Sequence, residues 1–232
     1  VGGLAGIESH GLVPSHGCGT SAGAIVAALR IAGYSPNELK NLLDQTDFLK
    51  FLDGNGWGRK IWNITTKKGI YKGDAFYQYM YRKLADKGVI FFKDLLTSTV
   101  RDLDNPKYRW RFKCYSADIT KNRLVTWPDD ASLYGLDPDY LEVAWAVRTS
   151  MSIPLFFEPV QKAGSYLVDG GLLSNFPIWQ WDDNRNPDWP TFGLLLDESP
   201  GSEKINKINK WPHSFVLALM HTMLNSHDRD WE

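Results

Sequence analysis

The chain has 232 residues, a formal net charge of −1 and 43% hydrophobic residues, a balance that suits one globular domain with a substantial core. The charge and the lack of a basic block argue against nucleic acid as a partner, and no apolar run approaches the roughly 18 residues of a membrane span. Two cysteines, Cys18 and Cys114, form neither a disulfide framework nor a metal motif and are expected to be free and buried.

In chain order, Gly2-Gly3-Leu4-Ala5-Gly6 comes first. A glycine-rich loop exposes backbone N–H groups that form an anion-binding nest, and in an acyl-transfer enzyme that nest is an oxyanion hole. Read alone, the run also fits a flexible terminus. Residues 19 to 23 read Gly-Thr-Ser-Ala-Gly, which fits G-x-S-x-G, the nucleophile elbow. Ser21 then sits on a tight strand-to-helix turn, and side chains at Gly19 and Gly23 would collide across it. Ala22 to Ala32 is apolar and alanine-rich, and Gly33 stops it. As a helix it aims its positive end at the serine.

Ser35-Pro36-Asn37-Glu38 is a helix start, with a serine cap, proline in the first turn and glutamate three after the cap. That helix is expected to reach about Thr46, with Leu39, Leu42 and Leu43 on one face. Between residues 51 and 71, Phe51, Trp57, Trp62, Ile64, Ile70 and Tyr71 alternate with glycines and with Arg59, Lys60, Lys67 and Lys68. Such a segment fits a core-covering loop, or an access rim whose tryptophans and cations touch a lipid surface. A tyrosine-rich helix is expected from Gly73 to about Ala85. Tyr108 to Ala117 and Arg123 to Trp127 read as strands joined by the turn Thr120-Lys121-Asn122.

Asp129, Asp130, Asp137 and Asp139 lack the spacing of a calcium loop and read as solvated. Leu141 to Thr149 reads as helix, Thr191 to Leu196 as a short strand, Gly201 to Lys210 as a polar loop and Pro212 to Asn225 as a final helix. Tyr166 to Val168 reads as a strand ending in Asp169, followed at once by Gly170 and Gly171. Alone, Asp-Gly is a turn signal. A carboxylate at a strand tip, with glycines that let another backbone approach, is also well placed to take a proton from a serine.

Taken in order, the glycine run, the elbow and Asp169-Gly170-Gly171 resemble the patatin-like phospholipases. Ser116-Ala117-Asp118-Ile119-Thr120, Ala146-Val147-Arg148-Thr149-Ser150-Met151-Ser152-Ile153-Pro154 and Ser174-Asn175-Phe176-Pro177 extend the resemblance over nearly the whole chain. It implies a three-layer α/β/α sandwich around a mostly parallel sheet, with residues 1–232 as a single domain. It also implies a Ser–Asp dyad without histidine, with Ser21 as nucleophile and Asp169 as base. Backbone N–H groups of Gly2, Gly3 and Leu4, joined by that of Ala22, would hold the oxyanion, and Gly19, Gly23, Gly170 and Gly171 would shape the motifs. The implied substrate is a phospholipid or another acyl lipid, with contact at a membrane surface. No metal and no organic cofactor is implied, and the oligomeric state is left open.

Two departures from the family pattern stand out. Val1 replaces the first glycine of the loop, and Ala5 its basic residue, which removes one cation near the oxyanion. Ile7 to Cys18, with Gly11, Pro14 and Gly17, reads as too short for both a helix and the strand entering the elbow. The expectation is therefore that terminal and internal segments are missing from this chain. Three rivals to the dyad hydrolase follow. One is a lipid-binding relative without catalysis, one an acyltransferase using the same serine. The third is a Ser–Asp–His triad completed by His213, His221 or His227.

Overall fold

The computed structural model describes residues 1–47, 68–98, 104–182 and 189–195. Five helices are described: α1 Gly2–Ser9, α2 Ala22–Ile31, α3 Pro36–Gln45, α4 Asp74–Ala85 and α5 Val143–Ser150. Seven strands are described with them: β1 Gly17–Gly19, β2 Gly69–Tyr71, β3 Phe112–Asp118, β4 Arg123–Trp127, β5 Leu155–Phe157, β6 Val160–Lys162 and β7 Ser165–Asp169. The architecture is an α/β sandwich. Among the described strands the sheet is mixed, in place of the mostly parallel one expected. β1 pairs parallel with β3, while β4, β7 and β6 add antiparallel neighbours. β2 and β5 form a separate parallel pair. The antiparallel share comes from short connections: Thr120-Lys121-Asn122 folds β4 back on β3, and Ala163-Gly164 folds β7 back on β6, with Asn122, Ala163 and Gly164 all at positive φ.

Strand β3 organises the sheet. All seven of its residues are buried, as expected of a strand covered on both faces. Its register decides where the other strands end. Cys114 pairs with Gly19 of β1 and also with Trp127 of β4, so β1 and β4 lie on opposite edges. Ser116 to Asp118 pair with β4 and with β7, so β7 lies on the same edge as β1. β1 runs up that edge and stops opposite Cys114; β7 runs down it and stops opposite Ser116. The two strand tips therefore meet head to head, and Ser21 and Asp169 come from those tips.

Local sequence explains the helices that pack on this frame. α3 carries the expected capping box, with Ser35 accepting from the Glu38 N–H and Glu38 accepting from the Ser35 N–H. α4 begins after Gly73, which sits at φ 79, and buries Phe76, Met80 and Leu84 along one stripe. α5 buries every residue except Trp145 and packs against α4, β3 and β7. At the centre of the core, Trp127 is fully buried. Its indole N–H donates to Ser116 Oγ at 3.0 Å, and its ring meets Trp145 edge-on at 5.2 Å.

Four expectations change. The glycine run at residues 2 to 6 is helical rather than a loop, because α1 starts at Gly2. Residues 191–195 carry no strand. The acidic loop is not simply solvated: Asp129 pairs with the buried Lys113 at 2.7 Å, Asp130 with Arg123 and Asp139 with Arg109. Those cations consume the carboxylates that a calcium ion would need, and no metal-binding cluster occurs among the described residues. Cys114 is buried as expected, whereas Cys18 is only partly so; both are free. Of the segment at 51–71, residues 51–67 lie outside the described residues, as do the loop at 201–210 and the helix at 212–225, whereas Ile70 and Tyr71 fall in β2, with Tyr71 buried.

Removing the Trp127 ring should empty the centre of this core and orphan the Ser116 hydroxyl. Trp127→Ala is expected to lower unfolding stability by about 3–5 kcal/mol, measured by urea denaturation. A loss below about 1 kcal/mol would mean that β3 and β4 do not depend on this contact.

Candidate active site

Ser21 stands between β1 and α2, at φ 53 and ψ −123. A non-glycine residue at positive φ is strained by about 1–3 kcal/mol and persists only where its surroundings hold it. The close turn demands glycine at residue 19, where a Cβ would run into the Gly23 backbone. The collision is one-sided, since a Cβ on Gly23 would meet nothing within 4 Å. Thr20 is buried and donates its hydroxyl to the Ser174 carbonyl at 2.9 Å, which ties the elbow to the loop after Asp169. The Ser21 N–H donates to Ser150 Oγ at 3.1 Å.

Asp169 ends β7 and is fully buried. Its Oδ1 accepts the Gly171 N–H at 2.8 Å, which caps the 3₁₀ turn Gly170–Leu172. Its own N–H donates to the Ser152 carbonyl at 2.9 Å. Gly170 is glycine for steric reasons: a Cβ there would lie 2.5 Å from the Tyr115 carbonyl oxygen and 3.0 Å from Thr20 Cγ2. The backbone that approaches the Asp-Gly-Gly motif is therefore β3.

Burial is the main influence on Asp169 and raises its pKa from 3.8 to about 6; the Ser21 hydroxyl and then the Gly171 N–H oppose the rise by favouring the carboxylate. The Ser21 contact is loose, for Oδ2 is buried without a hydrogen bond of ordinary geometry among the described residues. Catalytic hydrogen bonds are often long before substrate binds. The arrangement is chemically able to move a proton: a partly exposed hydroxyl faces a desolvated carboxylate whose basicity burial has increased.

Two helix N-termini carry backbone N–H groups without intrahelical acceptors. The Ala22 N–H, first in α2, has no acceptor among the described residues, whereas the Gly23 N–H is taken by the Thr20 carbonyl. In α1 the first internal bond runs from the Ala5 N–H to the Val1 carbonyl, so the N–H groups of Gly2, Gly3 and Leu4 project from a helix N-terminus. These are helix-end donors rather than the loop nest expected from the glycines. α1 is fastened to α2 by the Glu8–Arg30 ion pair.

Of the histidines, His16 is held by the Tyr108 carbonyl at 3.1 Å, and His10 is exposed near the α1 C-terminus. His213, His221 and His227 lie outside the described residues. Sequence reasoning missed Thr20, Ser150 and Ser152 as parts of the site. The signal was a run of small polar residues in an otherwise apolar helix, Thr149-Ser150-Met151-Ser152.

The raised pKa links this site to stability. Below about pH 4 Asp169 is protonated in both folded and unfolded chains, and between about pH 4 and 6 only the folded chain keeps the proton. Stability contributed here is therefore lost as pH rises through about 6, leaving a cost of about 3 kcal/mol at neutral pH. Asp169→Asn is expected to melt higher than wild type at about pH 7 and much closer to it at about pH 4. Calorimetry at both pH values checks this, and equal melting temperatures at neutral pH would contradict a strained buried carboxylate.

The patatin-like phospholipase profile matches residues 1–181. YqhO of Bacillus subtilis (strain 168), an uncharacterised protein, is 35% identical over 237 residues, spanning 96% of this chain and 74% of that protein. "Probable lipid hydrolase 463L" of Invertebrate iridescent virus 6 is 25% identical over 165 residues, spanning 69% of this chain and 50% of the viral protein. The fold resembles VipD from Legionella pneumophila with a TM-score of 0.55 at 18% identity, covering 78% of this chain and 44% of VipD. Matched over most of its length by the family profile, the chain belongs to the patatin-like phospholipases.

Proposed function

We propose that the chain is a lipid acyl hydrolase of the phospholipase A or lysophospholipase type, acting through Ser21 and Asp169. The observation that carries this reading is the meeting of a strained, partly exposed serine with a buried carboxylate of raised pKa. Family membership and the viral relative described as a probable lipid hydrolase support it. Residues 1–232 are read as one domain of this kind.

In the proposed reaction Asp169 takes the Ser21 Oγ proton as Oγ attacks the ester carbonyl carbon. Negative charge moves to the carbonyl oxygen, where the N–H groups of Ala22 and of Gly2, Gly3 and Leu4 receive it. The bond to the leaving alkoxide then breaks, Asp169 returns the proton to it, and the acyl group stays on Ser21. Water attacks that ester as Asp169 takes a proton from it, the bond from the acyl carbon to Oγ breaks, and Asp169 gives its proton to Oγ, which releases the fatty acid and restores the serine. No step calls for a metal or an organic cofactor. Substrate would arrive from a lipid surface, a reading supported by the exposed apolar side chains of Val13, Trp189, Phe192 and Leu194.

Hydrolysis of phospholipid vesicles and of a short-chain nitrophenyl ester tests this directly. Ser21→Ala and Asp169→Asn are each expected to lose activity by about 10³-fold or more without unfolding. Since Asp169 must be ionised to act as base, wild-type kcat/KM should climb with pH and level off above about 6. Near-native turnover by Asp169→Asn would remove the dyad and revive a histidine base.

A further inference from the structure

One short stretch, residues 148–152, is bonded to both proposed catalytic residues. Ser150 Oγ accepts the Ser21 N–H at 3.1 Å, and the Ser152 carbonyl accepts the Asp169 N–H at 2.9 Å. Both serines are fully buried. The stretch is itself clamped. Arg148, buried in α5, donates to Ser152 Oγ, to the Glu158 carbonyl at 3.0 Å and to the Lys72 carbonyl. Its guanidinium lies over the Phe157 ring at 5.4 Å. Gly73 leaves room for it, because a Cβ there would overlap the guanidinium.

From these contacts we infer that Ser150 is a positioning residue, which holds the Ser21 N–H and with it the positive-φ backbone that presents Oγ. This role rests on the proposed one for Ser21. The physical reason is local. At φ 53 the Ser21 backbone is disfavoured, and its N–H is held by the buried Ser150 hydroxyl. Without the Ser150 hydroxyl the peptide between Thr20 and Ser21 is free to rotate toward a relaxed conformation, which carries Oγ away from Asp169. The Ser152 carbonyl fixes the other partner from the same strap, so the spacing between hydroxyl and carboxylate is set by one rigid helix end. A second consequence follows: since the Ser21 N–H is committed to Ser150, it does not serve as an oxyanion donor.

The test compares full-length wild type, Ser150→Ala and Ser150→Thr by two readouts. Amide hydrogen exchange at Ser21, followed by NMR, does not depend on catalysis. Turnover of a soluble nitrophenyl ester reports the reaction. Ser150→Ala is expected to speed Ser21 amide exchange by about tenfold and to lower kcat by about 10- to 100-fold with KM nearly unchanged. Ser150→Thr, which keeps the hydroxyl, should restore most of both, and the acidic limb of the pH profile should stay where Asp169 sets it. If Ser150→Ala does not fold, Ser150→Cys, of similar volume but a weaker acceptor, is judged by the same two readouts. Exchange and kcat within about twofold of wild type would overturn the inference. If wild type turns over no ester, the hydrolase reading fails, and amide exchange alone then decides whether Ser150 holds Ser21.

Discussion

The site depends on the register of one strand edge. β1 and β7 share the same side of β3 and stop at Cys114 and Ser116 respectively. Two residues far apart in the chain become neighbours because their strands run toward each other and end there. Side chains alternate along a strand, so a one-residue slip of β7 on β3 would turn Asp169 to the opposite face. β3 itself is buried throughout, with Trp127 hydrogen-bonded to Ser116 on one face and Tyr115 to Gln180 on the other.

Upon this frame the molecule carries two unfavourable elements side by side: positive φ at Ser21 and a desolvated carboxylate at Asp169. Each opposes folding by an amount comparable to a lost core contact. They persist because groups in and beside them are held by others: the Thr20 hydroxyl by the Ser174 carbonyl, the Ser21 N–H by Ser150, the Asp169 N–H by the Ser152 carbonyl and the Asp169 carboxylate by the Gly171 N–H. Strain and burial concentrated where chemistry is proposed is the pattern of a site shaped for reactivity at the expense of stability.

Much of this was legible in the sequence where the signal is local. The Ser35–Glu38 capping box, the β3–β4 hairpin around Asn122 and the glycine before the elbow each follow from steric or hydrogen-bonding needs within a few residues. What escaped was non-local or ambiguous. Glycines at residues 2, 3 and 6 read as loop, yet with Leu4, Ala5 and Ile7 among them the segment is helical and fastened through Glu8 to Arg30. Asp129, Asp130 and Asp139 looked solvated because their cationic partners, Lys113, Arg123 and Arg109, lie in other segments. Ser150 was invisible as a site residue because only the fold brings the end of α5 to the elbow. The head-to-head arrangement of β1 and β7 could not be read from any single stretch.

The most direct measurement is covalent labelling with a fluorophosphonate, with the modified peptide located by mass spectrometry. Such reagents phosphonylate a serine whose hydroxyl has been activated and leave ordinary serines untouched. The expected result is one adduct, on Ser21, formed in the folded wild-type protein and suppressed when Asp169 is replaced by asparagine. A folded protein that acquires no adduct, or acquires it on a serine other than Ser21, would contradict the proposal that this elbow and this carboxylate work as a catalytic pair.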